Sequence, residues 1–573
     1  MPGQENAVGE TEARKRRDRM SNRFDNSRVK GFLHAEGRRT VNGEGEEVLL
    51  RGWGAGNWTN PEGFMLGIGA GYMGDSLKPG LALPGRLTSA RTMNQVIREL
   101  CGSDYARAFW PRWQANHLGE ADIRAMAEWG YNSVRLPLTA WVLMPEEPEM
   151  RFDEAGFAML DRVLDWCEQY RIYAIIDLHG APGGQSGLAC DDGLDNIPHM
   201  FMEPESRERA LALWEEIARR YADRWIVGGY DLLNEPIAIG RWRPLIPELE
   251  RFYDDVIARI RRHDRNHICF LEGVLFSTNM SVFHRDYDRE CHNWGVSCHL
   301  YNVSPEVREL YKFIEVQRRL DVPVWIGEGR LNDADMAVFY EIAAAHDMGF
   351  NLWVWKSVVN DRNSGVAVYT LPEGFDAVLR YCTEGGPRPG YAESMRLFDA
   401  MLEKIRYENC RVNADAHRYC RRSQGIRLPA AGYDPDMFSG GWKLGNAFGY
   451  RTEDGTHLVL KDGAEVPDSI ALDGPPPVRD PLGSLLVQLD EGAYVSYTVR
   501  DVRTECAATV VARSAEGAVV HVSDVSRTKQ IDIPAGSDFA RYPLLALEPG
   551  DARTIRLTCM RGQAQVEAIE FSE

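Results

Sequence analysis

Eight short apolar runs, rich in aliphatic and aromatic residues, recur between about residues 47 and 407 of this chain. They end at Trp53, Leu136, Leu178, Leu233, Gly273, Leu300, Gly327 and Trp355. Stretches with a 3.6-residue apolar period separate the runs, and parallel strands require crossover helices of this kind. Eight strand and helix units are the number that closes a TIM barrel. The pattern therefore predicts an α/β fold built as a (β/α)8 TIM barrel.

The connections between the runs differ in character. In the stretch before Tyr170, an apolar residue returns every three or four positions from Phe157 to Cys167, which predicts a helix that packs one face on the barrel. The first connection, roughly Thr59 to His117, is unusually long and rich in Gly and Pro. We expect it to form elaborated loops over the mouth of the barrel.

The chain changes after about Ser423, where helical periodicity stops. Segments such as AYVSYTVR, ATVVARS and AQVEAIEF then alternate apolar and polar residues between Gly, Pro and Asp turns, which is typical of antiparallel sheets. We predict a barrel over residues 29–422 and a second domain, an all-β sandwich, over residues 423–573. Residues 1–28 mix both charges without an apolar h-region, so we expect a disordered leader.

Charge and cysteine usage exclude several classes of protein. The formal net charge of −19 opposes binding to nucleic acid and to anionic membranes, so a neutral partner is favoured. No apolar run is long enough to cross a bilayer. The 11 cysteines are scattered without CxxC pairs or His/Cys clusters, which argues against a disulfide framework and against a zinc site. We expect a cytoplasmic protein with reduced thiols and without a metal or cofactor.

Polar and aromatic side chains lie at the ends of the apolar runs, where barrel proteins carry their reactive groups. They are Arg135, Asp177, His179, Asn234, Glu235, His299, Tyr301, Glu328, Trp353 and Trp355. The fourth and seventh runs deliver the two carboxylates Glu235 and Glu328, which are far apart in sequence but can converge across a barrel mouth. Such a pair is what cleavage of an acetal requires.

Breaking a glycosidic bond needs a proton donor to the leaving oxygen and a carboxylate on the opposite side of the sugar. When that carboxylate attacks directly, the two carboxyl groups lie about 5 to 5.5 Å apart. Arg135 and Tyr301 near Glu328 would favour its ionised form, while burial and the neighbouring anion would keep Glu235 protonated. The pair would thus divide into an acid and a nucleophile.

Other interpretations of these residues stay open. Glu272, at the end of the fifth run, is a rival carboxylate. The histidines and the tyrosine could instead satisfy backbone groups near the rim. Trp353 and Trp355 lie two positions apart and so would share one face of a strand, and either could form a floor under a sugar ring or pack in the core.

Six segments carry a resemblance to a known family. GYNSVRLPL, YAIIDLHGAPGG, YDLLNEP, CHLYN, PVWIGEG and LWVWK resemble, in this order, the motifs of glycoside hydrolase family 5, over roughly residues 47 to 407. The resemblance implies a retaining barrel enzyme with Glu235 as general acid/base and Glu328 as nucleophile. The surrounding shell that it implies comprises Arg135, His179, Asn234, His299, Tyr301 and Trp353, with Asn234 on the sugar 2-hydroxyl.

Two further segments narrow the resemblance. GNWTNPEGFM and DLHGAPGGQSG look most like the exo-β-glucanase branch, which implies that Glu62 binds the terminal sugar. We therefore expect a β-glucosidase-like enzyme acting on a β-glucoside or a small β-linked oligosaccharide, with a carbohydrate as its partner. A β-mannosidase of the same fold, a transglycosylase and an inactive carbohydrate-binding protein are the alternatives. The C-terminal segment resembles carbohydrate-binding modules in its spacing of strands, so it either binds sugar or braces the barrel.

Overall fold

A computed structural model describes residues 23–67, 86–145, 150–358, 365–434, 450–451, 456–462 and 480–573. Most of the predicted leader, residues 1–22, lies outside these ranges. Residues 23–28 are described, and a short 3₁₀ turn, Asn26–Arg28, follows the capping side chain of Asp25.

Eight parallel strands close into a barrel in which each strand pairs with the next along the chain and the last pairs with the first. In chain order they are Arg51–Gly54 (β1), Ser133–Thr139 (β2), Tyr173–Gly180 (β3), Val227–Asp231 (β4), Cys269–Glu272 (β5), Trp294–Tyr301 (β6), Val324–Arg330 (β7) and Gly349–Leu352 (β8). Strands β2 and β3 are buried along their whole length, because barrel strands are covered on both faces and then read as continuous apolar runs. The predicted TIM barrel is confirmed.

Helices cover the outside of the barrel. Between and after the strands they run over Glu120–Glu128, Glu154–Tyr170, Pro204–Tyr221, Ile246–Ile260, Tyr311–Leu320, Asp333–Ala345, Asp376–Thr383, Tyr391–Lys404 and Ala414–Arg421. Helix Glu154–Tyr170 begins where the Asp153 carboxylate accepts two backbone N–H bonds, and it buries the predicted face from Phe157 to Cys167. Within the described residues, no helix combines the length and the apolar character that a membrane span needs.

The first connection is more ordered than its composition indicates. In its described part it contains two helices, Ala90–Cys101 and Ser103–His117, so the expectation of elaborated loops is wrong there. A capping box between Ser89 and Thr92 starts the first helix. The two helices pack with Tyr391–Lys404 around a second apolar cluster, separate from the barrel core. Residues 68–85 of the connection lie outside the described residues.

Smaller elements complete the barrel half of the molecule. A hairpin of His34–Glu36 and Arg39–Val41 precedes β1, and a three-stranded sheet of Lys356–Val358, Ala367–Tyr369 and Arg411–Val412 follows β8. The single turns Ala140–Leu143 and Val274–Ser277 follow β2 and β5. All 11 cysteines lie in the described ranges, and none forms a disulfide.

The C-terminal part forms two antiparallel sheets that share one apolar core, as predicted for a β-sandwich. One sheet contains Ile426–Pro429, Leu458–Leu460, Leu485–Leu489, Cys506–Ser514, Gly536–Leu547 and Ala564–Phe571. The other contains Tyr494–Val502, Ala518–Ser523, Thr528–Ile533 and Gly550–Gly562. The turn Pro481–Ser484 leads into the first sheet.

Buried arginines join the sandwich to the barrel. Arg422 donates to the carbonyl oxygens of Thr498 at 2.8 Å and Ala337 at 3.3 Å, so one guanidinium bonds both halves. Arg500, on the second sheet, makes a two-pronged ion pair of 2.6 and 2.7 Å with Glu341 on helix Asp333–Ala345. Because this helix follows β7, the sandwich supports the barrel wall that carries Glu328.

We predict that Glu341→Gln lowers the free energy of unfolding by about 3 kcal/mol, because it leaves the Arg500 guanidinium buried without its counter-ion. The double variant Glu341→Leu with Arg500→Met should recover part of the loss, since no charge then stays buried. Urea unfolding followed by tryptophan fluorescence measures both. Glu570→Gln, in a partly exposed ion pair with Arg427, is the control and should cost less than about 1 kcal/mol. Equal losses for Glu341→Gln and this control would contradict the prediction.

Candidate active site

The candidate residues meet at the carboxyl-terminal mouth of the barrel. Arg135 lies on β2, Asp177 and His179 on β3, His299 and Tyr301 on β6, and Glu328 on β7. Asn234 and Glu235 follow the end of β4, and Trp353 follows β8 directly. Apart from the partly buried Tyr301 and Trp353, all of these side chains are buried. The structure thus brings together residues that span more than 200 positions of sequence.

The two glutamates face each other at short range. One carboxylate oxygen of Glu235 and one of Glu328 lie within 4.8 Å of each other and of a His299 ring nitrogen. Both side chains are nearly buried, with 6% of Glu235 and 5% of Glu328 exposed. Direct attack by a carboxylate uses a separation of about 5 to 5.5 Å, whereas activation of an intervening water needs roughly 6.5 to 9.5 Å. The spacing suits direct attack.

Arg135 connects the floor of the site to both glutamate segments. Its guanidinium donates to Glu328 Oε1 at 2.6 Å, to Asn234 Oδ1 at 2.9 Å and to Asp231 Oδ2 at 2.8 Å. Burial alone would lower the pKa of Arg135, but the carboxylates of Asp177 and Asp231 raise it well above its ordinary value. The arginine therefore stays charged beneath the site.

The surroundings of Glu328 favour its ionised form. Burial alone would raise the pKa of this carboxyl group, but the charges of His299 and Arg135 and a hydrogen bond from Tyr301 bring it below its ordinary value. The Tyr301 hydroxyl donates to Glu328 Oε2 at 2.8 Å. Glu328 is thus held as an anion beside the cleft, which is the state that a nucleophile requires.

Glu235 differs from Glu328 in its hydrogen-bond contact and in its backbone conformation. His299 Nδ1 lies 2.8 Å from Glu235 Oε1, in hydrogen-bond contact. The backbone of Glu235 has a φ of +42° and that of Ile237 has a φ of +52°, which are left-handed conformations unfavourable for residues with branched or bulky side chains. Such strain persists only where neighbouring groups enforce it, and it concentrates at functional sites.

Two residues that the sequence reasoning did not assign to the site enforce this backbone. Glu272 Oε2 accepts the backbone N–H of Glu235 at 2.7 Å. The Gln185 side chain donates to the carbonyl oxygens of Asn234 and His179, each at 2.8 Å. The backbone carbonyl oxygen of Gln185 accepts the N–H of Ile237 at 3.0 Å. The sequence indicates Glu272 only as a rival carboxylate, and no pattern in the DLHGAPGGQSG segment distinguishes Gln185 from its neighbours.

His179, Trp353 and Glu62 form one wall of the cleft. The His179 ring stacks on the Trp353 indole at a centroid distance of 5.2 Å and an interplanar angle of 5°. His179 Nε2 lies 3.9 Å from Glu62 Oε1. Burial raises the pKa of Glu62 to about 8, and the charges of Glu328 and Glu235 add to the effect while His179 opposes it. Glu62 can therefore donate a hydrogen bond near neutral pH.

Two glycines after the first apolar run make room for this wall. A Cβ atom on Gly54 would lie 2.5 Å from the Trp353 ring, and one on Gly56 would lie 2.6 Å from it. Asn57 follows Gly56 directly and has a φ of +67°. Its side-chain oxygen accepts the Glu62 N–H at 2.9 Å. The GWGAGN segment thus leaves space for the Trp353 indole and orients the backbone of Glu62.

Trp355 does not line the cleft, so its assignment to substrate binding is corrected. Only 1% of it is exposed, and its indole N–H donates to Asp122 Oδ1 at 2.8 Å. It stacks on Tyr407 at an interplanar angle of 9°. The expectation of a shared face fails because β8 ends at Leu352, so strand alternation does not extend through the two tryptophans.

Glu235, His299 and Glu328 also form the one group of potential metal ligands found in the described part of the chain. However, His299 Nδ1 contacts Glu235, and Arg135 and Tyr301 each donate a hydrogen bond to Glu328. Hydrogen bonds therefore account for the ligand atoms that a metal ion would need.

We predict that Trp355→Phe lowers the free energy of unfolding by roughly 2 to 3 kcal/mol, because it removes buried volume and the bond to Asp122. Trp353→Phe should change it by less than about 1 kcal/mol, since this indole is partly exposed. Urea unfolding measures both variants, which serve as controls for each other. Equal destabilisation would contradict the assignment of one tryptophan to the core and the other to the cleft.

Part of this chain is similar to known proteins. Residues 94–358 match the family model described as cellulase, glycosyl hydrolase family 5. The chain is 32% identical over 290 residues to "Beta-xylosidase" of Phanerodontia chrysosporium, covering 50% of this chain and 56% of that protein. It is 30% identical over 194 residues to "Glucan 1,3-beta-glucosidase" of Candida oleophila, and this match covers 33% of this chain and 40% of that protein. The alignments thus span about half of the length of these relatives.

Solved structures show weaker likeness. An endogalactoceramidase is 15% identical with a TM-score of 0.44, and the match covers 94% of this chain and 99% of that one. The catalytic domain of an endoglucanase from Thermobifida fusca is 15% identical with a TM-score of 0.37, and the match covers 66% of this chain and 99% of that domain.

Proposed function

We propose that this chain, whose residues 94–358 belong to glycosyl hydrolase family 5, is a retaining β-glycoside hydrolase that removes a terminal sugar. The observation that carries the proposal is the approach of the Glu235 and Glu328 carboxylates to within 4.8 Å. A pair of carboxyl groups at this range, with one held ionised, suits displacement through a covalent intermediate.

In the first step, the Glu328 carboxylate attacks the anomeric carbon while Glu235 gives its proton to the departing glycosidic oxygen. The bond to the leaving group breaks, and an ester forms between the sugar and Glu328. In the second step, Glu235 takes a proton from water, whose oxygen attacks the same carbon and releases the Glu328 carboxylate. Two inversions leave the configuration of the anomeric carbon unchanged.

The walls of the cleft favour binding of a single sugar ring. Trp353 is partly exposed at the mouth of the barrel, and aromatic rings suit the apolar side of a sugar. Asn234 accepts from Arg135 through Oδ1, which leaves its amide nitrogen to donate to a sugar hydroxyl. Glu62 adds a donor on the β1 side of the cleft. These contacts support exo action on a β-glucoside or small β-linked oligosaccharide.

The choice of sugar rests on the relatives. The name of the Candida oleophila protein supports glucose, and that of the Phanerodontia chrysosporium protein makes xylose a second candidate. Mannose, which differs from glucose in one hydroxyl orientation, is a third. Initial rates on 4-nitrophenyl β-glucoside, β-xyloside and β-mannoside would rank the three. A cytoplasmic location belongs to the same proposal, and fractionation of cells that produce the tagged chain would test it.

We predict that Glu328→Ala lowers kcat for the best aryl β-glycoside by roughly a thousandfold or more, because no ester can form. Azide should restore part of the turnover by attacking in place of the carboxylate. The matching 2-fluoro glycoside should label the wild-type peptide that contains Glu328, as seen by mass spectrometry. Glu315→Ala, on the exposed face of helix Tyr311–Leu320, is the control and should keep wild-type activity. Sugar binding without turnover by the wild-type chain would instead support an inactive carbohydrate-binding protein.

We further predict that Tyr301→Phe moves the acidic limb of the kcat/KM profile to higher pH. The Tyr301 hydrogen bond is one cause of the lowered pKa of Glu328, so its loss raises that pKa. Glu328 then becomes protonated, and unable to attack, at a higher pH than in the wild type. Tyr311→Phe, at an exposed tyrosine, is the control and should leave the limb in place. An unmoved limb in Tyr301→Phe would show that this bond does not tune Glu328.

A further inference from the structure

A third carboxylate, Glu272, lies beneath the glutamate pair at the end of β5, with none of its surface exposed. We infer that Glu272 is a positioning residue that sets the orientation of Glu235, an inference that rests on the proposed function. It holds the Glu235 segment from below while His299 contacts the Glu235 carboxylate.

The contacts of Glu272 reach three of the site residues at once. Oε2 accepts the backbone N–H of Glu235 at 2.7 Å. Oε1 accepts a bond from Arg135 Nη2 at 3.1 Å. His299 Nε2 also lies 3.1 Å from Oε1, in ion-pair contact. Both carboxylate oxygens are therefore engaged by the machinery of the site.

The bond to the Glu235 backbone has a specific consequence. Glu235 adopts a left-handed conformation, with a φ of +42°, which a residue with a side chain rarely adopts without support. A carboxylate that accepts a buried backbone N–H makes a short, charge-assisted bond, which is stronger than one to a neutral acceptor. This bond fixes the peptide from which the Glu235 side chain projects, and so it fixes where the carboxyl group meets the leaving oxygen.

Glu272 itself cannot act on substrate. Its carboxylate is fully buried, and Arg135 and the Glu235 backbone occupy its oxygens. The competing interpretation is that it only balances the charge of Arg135. In that case its loss would disturb Glu328 through Arg135 and would slow all substrates alike. Positioning of Glu235 would instead affect the transfer of a proton to the leaving group.

The leaving group separates these two roles. A 2,4-dinitrophenolate leaves without protonation, whereas a phenolate needs a well-placed acid. We expect Glu272→Gln to lower kcat/KM for the phenyl β-glycoside by roughly 10- to 100-fold, the range for impaired general acid catalysis. The loss for the 2,4-dinitrophenyl glycoside should stay within about threefold, because its glycosylation step requires no proton. Circular dichroism and thermal melting would establish that the variant is folded.

Asp231→Asn is the matched control. Asp231 is also fully buried and accepts a bond from Arg135 at 2.8 Å. The Glu235 N–H, however, donates to Glu272 and not to Asp231. We expect Asp231→Asn, which removes the carboxylate charge beside Arg135, to lower kcat/KM by similar factors for both leaving groups. Glu272→Asp gives a second route if Glu272→Gln does not fold, because it keeps the charge near Arg135 and shortens the reach to the Glu235 N–H. It should show the same dependence on the leaving group.

The outcomes are distinguishable. If the wild-type chain hydrolyses the glycosides and the Glu272 variants lose equal factors on both, or lose nothing, the positioning role is overturned and the proposed function stands. If the wild-type chain hydrolyses none of them, the proposed function falls, and the inference falls with it. A loss confined to the poor leaving group supports both.

Discussion

The buried guanidinium of Arg135 is the interaction on which the rest of the site depends. It lies among the carboxylates of Asp177, Asp231, Glu272 and Glu328, and an unpaired anion at this depth would be costly. One rigid, planar donor with several N–H groups can serve several acceptors on different strands, which a lysine could not do in the same geometry. Arg135 therefore makes it possible to assemble acidic side chains inside the barrel mouth.

The two glutamates differ because their supports differ. Glu328 receives hydrogen bonds from Arg135 and Tyr301 directly on its carboxylate, so its anionic form is favoured. Glu235 is supported through its backbone by Glu272, and its carboxylate is in hydrogen-bond contact with His299. Glu235 and Glu328 thus lie less than 5 Å apart but have different hydrogen-bond partners, which suit them to different steps of the reaction.

The helix that follows β7, Asp333–Ala345, connects the barrel to the sandwich. Helix Asp333–Ala345 packs on the barrel and also carries Glu341, which pairs with Arg500 of the sandwich. Arg422 bonds both halves, and a single apolar core extends through them. The sandwich thus acts as a brace for the barrel.

The order of apolar runs was sufficient to predict the eight strands, because strands covered on both faces must be apolar throughout. The residues at the ends of these strands led to the prediction that Glu235 and Glu328 form a pair. The sequence did not separate Trp353 from Trp355, because that depends on where β8 ends and on the space that Gly54 and Gly56 leave. Nor did it assign Glu272 to the support of Glu235. That contact joins the ends of two neighbouring strands 37 residues apart in the chain, and local patterns carry no information about such distances. Only the closed barrel decided it.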